Sequence, residues 1–217
     1  MSRQFSIFDP ITSDYEVQIV NSKETYSYLR DIHYAHRIPS ISFAFGLFKD
    51  REIVGVVTYG TPASSTLCKG ICGELFQKNV LELNRLVLKN NLPNEASRLV
   101  AASLRLLPKP KIIVSFADTA QNHSGIVYQA TNFLYTGLSS KFRDIKVRGL
   151  EHQHHATYGH GLTYEEVKKK FGVENVYFED RSRKHRYIIF LGNHKQKKEM
   201  INNLRYKILP YPLKDNK

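Results

Sequence analysis

The chain has 217 residues, 41% of them hydrophobic, enough for one sizeable core or a core plus a small subdomain. It opens Met1-Ser2-Arg3-Gln4-Phe5-Ser6 and nowhere reaches the roughly 18 apolar residues in a row of a membrane span, so neither a signal peptide nor a transmembrane helix is predicted. Its 32 Lys and Arg against 20 acidic residues give a formal charge of +12, a surplus that attracts polyanions, of which duplex DNA is the densest common one.

Alternation over residues 15–20 predicts a first strand, and residues 22–34, opening with Ser22 and Glu24, read as a helix that Pro39 stops. Residues 42–48 and 53–59 are two apolar strands joined at Lys49-Asp50-Arg51-Glu52, a natural hairpin turn. The stretch 60–79 reads as loop, rich in Gly and Pro, and 80–88 as another strand. Asn94 is the expected N-cap of a helix reaching about Leu107, which Pro108 and Pro110 close. A short buried strand at 111–117 precedes a helix from about Gly125 to Phe133. Late strands are expected at 176–178 and 187–191, with a last helix near 195–204. No repeat or linker interrupts this order, so residues 1–217 are read as a single domain whose last third, from about 150, is basic.

Cys68 and Cys72 are too few for a disulfide framework and fit a reducing cytoplasm; as a metal pair they would need outside ligands, and two ordinary thiols are the simpler reading. The basic residues cluster at Lys168 to Lys170, at Arg181, Arg183, Lys184 and Arg186, and at Lys195, Lys197 and Lys198. Tyr177, Phe178, Tyr187 and Tyr206 are interleaved as candidate stacking groups. The histidines His152, His154, His155 and His160 have irregular spacing and no paired cysteines, which suits a solvated or DNA-contacting loop better than a zinc site.

The segment 115–137, SFADTAQNHSGIVYQATNFLYTG, resembles the central signature of the Mom proteins of bacteriophages. Flanking it are Glu82-Leu83-Asn84-Arg85-Leu86, Asn94-Glu95-Ala96-Ser97-Arg98, Lys184-His185-Arg186-Tyr187, and upstream His33-Tyr34 with Arg37-Ile38-Pro39; the similarity runs over residues 30–212. The resemblance implies an α/β fold like the Gcn5-related N-acetyltransferases, a mixed central sheet flanked by helices. In that fold a central strand feeds a helix whose N-terminus binds the donor's pyrophosphate, and the next strand splays away to open a cleft. It also implies an enzyme of the host-cell cytoplasm acting on double-stranded DNA. Such an enzyme converts adenine to an N6-carbamoylmethyl derivative and so protects the DNA from restriction. Acetyl-coenzyme A, another acyl or glycyl-type donor, and iron are the cofactors the family brings to mind; a homodimer is left open.

Asp118, just past the strand at 111–117, is a candidate proton acceptor or metal ligand, with a turn or N-cap aspartate as the plain alternative. Tyr128 is a candidate to protonate a leaving group or bind a metal, against a core tyrosine. His33 is a metal ligand or base, against a helix-terminal cation, and Tyr34 a stacking group. Converging, His33, Asp118 and Tyr128 would form a mixed N/O set suited to non-haem iron. Arg85 is expected to clamp a phosphate or orient Asp118, since a spacing of three puts it on the opposite strand face from Glu82. Asn94, Ser97 and Arg98 open a helix whose N-terminus is an anion site. Yet the glycine-rich loop of ordinary acetyltransferases is missing, with no glycine between Gly73 and Gly125. Arg181, Arg183, Lys184, His185 and Arg186 are the expected DNA contacts. The competing readings are a conventional acetyl-coenzyme A-dependent N-acetyltransferase and a non-catalytic DNA-binding protein.

Overall fold

A computed structural model describes residues 14–151, 153, 155–159 and 161–212. Strands β1 (Tyr15–Ile19), β2 (Phe43–Lys49), β3 (Glu52–Gly60), β4 (Val80–Leu88), β5 (Lys111–Asp118), β6 (Leu134–Leu138) and β9 (Lys184–Leu191) form one seven-stranded sheet, in the order β1-β2-β3-β4-β5-β9-β6. All neighbours are antiparallel except β4 and β5. That parallel pair needs a crossover, supplied by α2 (Glu95–Leu106), whose Leu99, Val100 and Leu104 are buried at the spacing of one helical face. Each such side chain removed from water stabilises the fold by about 1.5–3 kcal/mol.

The pairing of β4 with β5 stops at Glu82 opposite Val114. Beyond it β4 continues along β3 to Leu88, while β5 continues along β9 to Asp118, so the two strands part and leave a gap in the sheet. One face of the sheet packs α2 against Phe45, Tyr59, Leu83, Ile113 and Tyr187. The other packs α1 (Ser65–Cys72) and α6 (His194–Asn202) against Val80, Ile112, Val114, Ile188 and Phe190. Mixed α/β architecture, a central strand feeding a helix and a splayed following strand are therefore all present.

Between β6 and β9 lies an insertion of which the sequence reading assigned only the strand at 176–178. It comprises β7 (Arg143–Val147), α4 (His155–Gly159), α5 (Tyr164–Phe171) and β8 (Val176–Asp180). β7 and β8 form a separate two-stranded sheet, and Val147, Tyr158, Val167 and Val176 close a small core of their own.

Three expected elements differ. The helix at 22–34 is replaced by a 3-10 turn, Ser22–Thr25, and a π-helical turn, Tyr28–Ile32. The cap is Asn21, one residue earlier than expected, which fixes a reciprocal box with Glu24. The supposed loop at 60–79 holds α1, capped by Ser64, because Cys68, Ile71 and Cys72 share a buried face at helical spacing that the glycine count obscured. Both thiols are free and lie in the apolar core, as ordinary thiols would. The helix expected at 125–133 is only α3 (Ile126–Ala130), ended by Asn132 in the left-handed region at φ 62°. Of the histidine group, residues 152, 154 and 160 and the His155 side chain lie outside the described residues. No helix among the described residues is long and apolar enough to cross a membrane.

Candidate active site

The gap between β4 and β5 opens into a cleft of about 750 Å³, lined among others by His33, Tyr34, Glu82, Arg85, Asp118, Tyr128 and Lys184. A purine with a small donor fits such a volume. Three stretches far apart in sequence thus meet, as the reading of His33, Asp118 and Tyr128 required.

Each stretch arrives for a local reason. The π-turn Tyr28–Ile32 ends with the His33 N–H donating to the Tyr28 carbonyl, which swings Ile32, His33 and Tyr34 to the cleft. The His33 and Tyr34 rings stack at 4.4 Å, and His33 Nδ1 accepts from the Ala35 N–H at 3.0 Å. That bond fixes the tautomer with the proton on Nε2 while the ring is neutral. Neutral is the state the site favours: burial, then the charges of Arg85, His36 and His123, lower the His33 pKa to about 4.

On β4 a bulge changes the expected geometry. Thr58 pairs with Arg85 and Tyr59 with Leu83, leaving Asn84 over. Alternation resets there: Leu81, Leu83, Leu86 and Leu88 all pack on the α2 face, and Glu82 and Arg85 both line the cleft. The opposite-face expectation for these two is therefore corrected. Burial raises the Glu82 carboxyl against the opposing pull of Arg85 and Lys184. Arg85 donates through Nη1 to the Asn84 carbonyl at 2.7 Å, and its buried Nε has no partner among the described residues. A buried guanidinium N–H without a partner, on a residue that lines the cleft, leaves one donor of Arg85 unmatched.

Tyr128 reaches the cleft from α3, where desolvation pushes its phenol up to about 12 with the Ser115 hydroxyl in hydrogen-bonding reach. Ser115 itself donates to the Leu83 carbonyl across the parting strands. Asp118 stands at the end of β5 and caps the 3-10 turn Thr119–Gln121, accepting from the Ala120 N–H at 3.0 Å. It also accepts from the Ser182 hydroxyl at 2.8 Å and faces the Lys184 ammonium at 3.4 Å. Burial alone would raise this carboxyl, but these three partners outweigh it and hold it below its ordinary value. The capping alternative is thus realised, and the carboxylate is spoken for.

Iron does not fit this donor set. Asp118 carries an ammonium beside it, the Tyr128 phenol is strongly biased to its protonated form, and no three His, Cys, Asp or Glu side chains among the described residues gather to hold a metal. The start of α2 fits a coenzyme pyrophosphate no better. Asn94 sits left-handed at φ 68° without a side-chain cap, Ser97 donates to the Asn94 carbonyl, and Arg98 lies 5.0 Å from the Tyr15 ring. Glu95, only 3% exposed, accepts from the Leu92 N–H and the Tyr15 hydroxyl. A carboxylate already holds the positive end of this helix.

The expected DNA contacts carry internal partners. Arg181 pairs with Asp144, and Arg183 donates to the Ser139 carbonyl at 2.7 Å. His185 bonds Tyr135, and Arg186 bonds Thr136 while lying 3.5 Å above the Tyr206 ring. Of the five, Lys184 lines the cleft. Tyr187 is fully buried and cannot stack on a base. Glu82 is the group that sequence reasoning passed over as Arg85's partner; the signal that could have found it is an acidic residue inside an otherwise apolar strand.

A sheet parted between its two parallel strands, with a polar cleft in the gap, defines an acetyltransferase-like α/β protein. Within that class the chain belongs to the Mom protein family, whose model matches residues 14–213. It is 27% identical to the methylcarbamoylase mom of Escherichia phage Mu over 94% of this chain and 90% of that one. Among solved structures it is similar to a ribosomal-protein-S5-alanine acetyltransferase from Vibrio fischeri, with 12% identity, 91% and 99% of the two chains covered and a TM-score of 0.47. A Bacillus subtilis acetyltransferase in complex with CoA gives 13%, 82% and 98%, and 0.42.

Proposed function

We propose that this protein is an enzyme that modifies the N6 amino group of adenine in double-stranded DNA to a carbamoylmethyl derivative, guarding that DNA against restriction. The observation that carries the reading is the cleft itself. A stacked imidazole and phenol at one wall, a buried carboxyl of raised pKa and a guanidinium with an unmatched N–H are gathered where an extruded base can enter. The similarity to the phage Mu methylcarbamoylase supplies the reaction class.

N6 is paired in the duplex, so the base must leave the stack. In the cleft the exposed face of Tyr34 offers the purine a ring to stack on. As the bond forms between N6 and the donor's methylene carbon, the N6 proton passes to Glu82, the carboxyl that burial makes the stronger base. The bond from that carbon to its leaving group breaks, and the leaving group departs with the electron pair. Arg85 Nε binds the donor's carbonyl oxygen, and Tyr128, protonated at neutral pH, is the acid available to the leaving group. Asp118 orders the mouth of the cleft by holding Ala120, Ser182 and Lys184 together, and Lys184 faces the DNA.

A conventional acetyl-coenzyme A enzyme is disfavoured by the missing glycine-rich loop and by the buried Glu95 carboxylate at the start of α2, whose charge opposes a pyrophosphate there. The test is mass spectrometry of nucleosides from DNA of cells expressing the protein. An adenine adduct heavier by the carbamoylmethyl group is expected, reduced about 10²–10⁴-fold in Glu82→Gln. Unmodified adenine with the wild type, together with robust acetyl transfer to amines, would install the conventional reading instead.

A further inference from the structure

Phe142 is 60% exposed, the most exposed aromatic among the large hydrophobic side chains. Phe178, another exposed ring of the insertion, has partners on it: Tyr164, stacked at 4.3 Å, and Arg143 at 4.9 Å. The segment carrying Phe142 is not loose. Its carbonyl accepts from the Arg181 N–H at 2.8 Å, the Ser139 N–H donates to the Lys184 carbonyl at 2.8 Å, and Arg183 Nε donates to the Ser139 carbonyl at 2.7 Å. Residues 139–142 are thereby laced to residues 181–184, and that second segment holds the cleft: Ser182 bonds Asp118, and Lys184 faces it. Asp118 lies opposite Lys184, and Phe142 is bonded to Arg181, three residues farther along; with about 4.8 Å between neighbouring strands and about 3.3 Å per residue, the Phe142 backbone stands roughly 14 Å from Asp118. Lys141 and Arg143, both exposed, precede and follow Phe142 in the chain.

A rigidly held, uncovered aromatic between two cations, one short step from a cleft that takes a single base, matches one partner. That partner is a duplex whose phosphates meet Lys141 and Arg143 and whose stack has a vacancy. We propose that Phe142 is a wedge that enters the base stack and fills the place left by the extruded adenine. This is a positioning role, and it rests on the DNA-modification reading above. Apolar side chains inserted between base steps offset the cost of unstacking, and an aromatic does so for any sequence because every base has a face to stack on.

The experiment compares wild type with Phe142→Ala and Phe142→Trp on two short duplexes. One has the target adenine paired with thymine; in the other the same adenine is bulged and already unstacked. For the paired duplex Phe142→Ala is expected to lose about 5- to 150-fold in adduct formation, the equivalent of one stacking contact. For the bulged duplex the loss shrinks toward none, and Phe142→Trp retains activity on both. An equal loss on both duplexes, or no loss on either, overturns the wedge. Should wild type give no adduct on any DNA, the modification reading fails, and the wedge is judged separately by 2-aminopurine placed at the target position. Fluorescence that rises with wild type and not with Phe142→Ala supports it; identical traces overturn it.

Discussion

Gly125 is where the chain turns from the end of the 3-10 segment into α3, and it does so at φ 80°, over the ring of Tyr187. A Cβ there would lie 2.3 Å from Tyr187 Cε2 and 2.7 Å from Cζ. The ring has nowhere to go. It is fully buried, lies 5.3 Å from Tyr128 and 5.2 Å from Tyr135, and is bonded to the Ser124 carbonyl and the Gln129 amide. Gly125→Ala therefore combines two penalties: about 1–2 kcal/mol for a left-handed alanine and about 1–3 kcal/mol for overpacking a core that cannot yield. Together they amount to about 2–5 kcal/mol, or a fall of about 4–20 °C in Tm for a chain of this size. Gly149 provides the internal control. Its φ is 81°, but nothing lies within 4 Å of the Cβ position, so Gly149→Ala carries the backbone penalty alone. Thermal unfolding of the two variants by circular dichroism separates the terms. Equal losses would refute the close packing of residues 124–129 on Tyr187, the ring against which Tyr128 lies at 5.3 Å.

Three further outcomes follow from the charges of the cleft. The His33 imidazole, followed by NMR, is expected to stay neutral until the pH approaches about 4; an ordinary midpoint near 6.5 would mean that it is neither buried in the cleft nor near the charge of Arg85. Because that pKa is lowered on folding, His33 contributes stability that is complete above its unfolded value and lost as the pH falls toward 4, so His33→Gln should flatten this part of the acid limb. Activity with wild type is expected to fall on acidification at a pH above the ordinary carboxyl range, as the raised Glu82 takes up its proton, and Glu82→Gln should erase that limb. Asp118 behaves oppositely. Its lowered pKa gives stability present above its unfolded value and lost as the pH falls through the folded one. Ser182→Ala with Lys184→Met should move its midpoint upward, read by carboxyl chemical shifts.

Much of the scaffold was legible because its signals are local. The strand at 80–88 comes from its density of Val and Leu and the helix after Asn94 from helical spacing closed by prolines, and the structure reproduces both to within a residue. What escaped detection depends on contacts made at a distance. Apart from Val176, in the strand expected at 176–178, the insertion is held by Val147, Tyr158 and Val167, single apolar residues among polar and charged ones, each too isolated in its own window to set a period. The bulge at Asn84 is a property of two strands, since it exists only as the mismatch between Thr58–Arg85 and Tyr59–Leu83 pairing. From one strand alone, a spacing of three argued correctly for opposite faces and gave the wrong answer.

That failure bears directly on the chemistry. Had β4 kept its alternation, Arg85 would point into the α2 core with Leu83, and Glu82 would line the cleft without the guanidinium beside it. The bulge brings both to one side of the gap, and burial then works on the pair in opposite senses: it raises the carboxyl and lowers the guanidinium pKa. The carboxyl becomes the better proton acceptor, while the arginine, whose pKa starts far above neutrality, stays charged with an unmatched N–H. A proton acceptor and an oxygen-binding cation three residues apart are what a reaction needs when an amine loses a proton to a donor that carries a carbonyl. Asp118, bound to three partners at the mouth, is by contrast suited to holding shape. The cleft thus divides its two carboxylates by environment, one desolvated, as the proton transfer proposed for Glu82 requires, and one hydrogen-bonded.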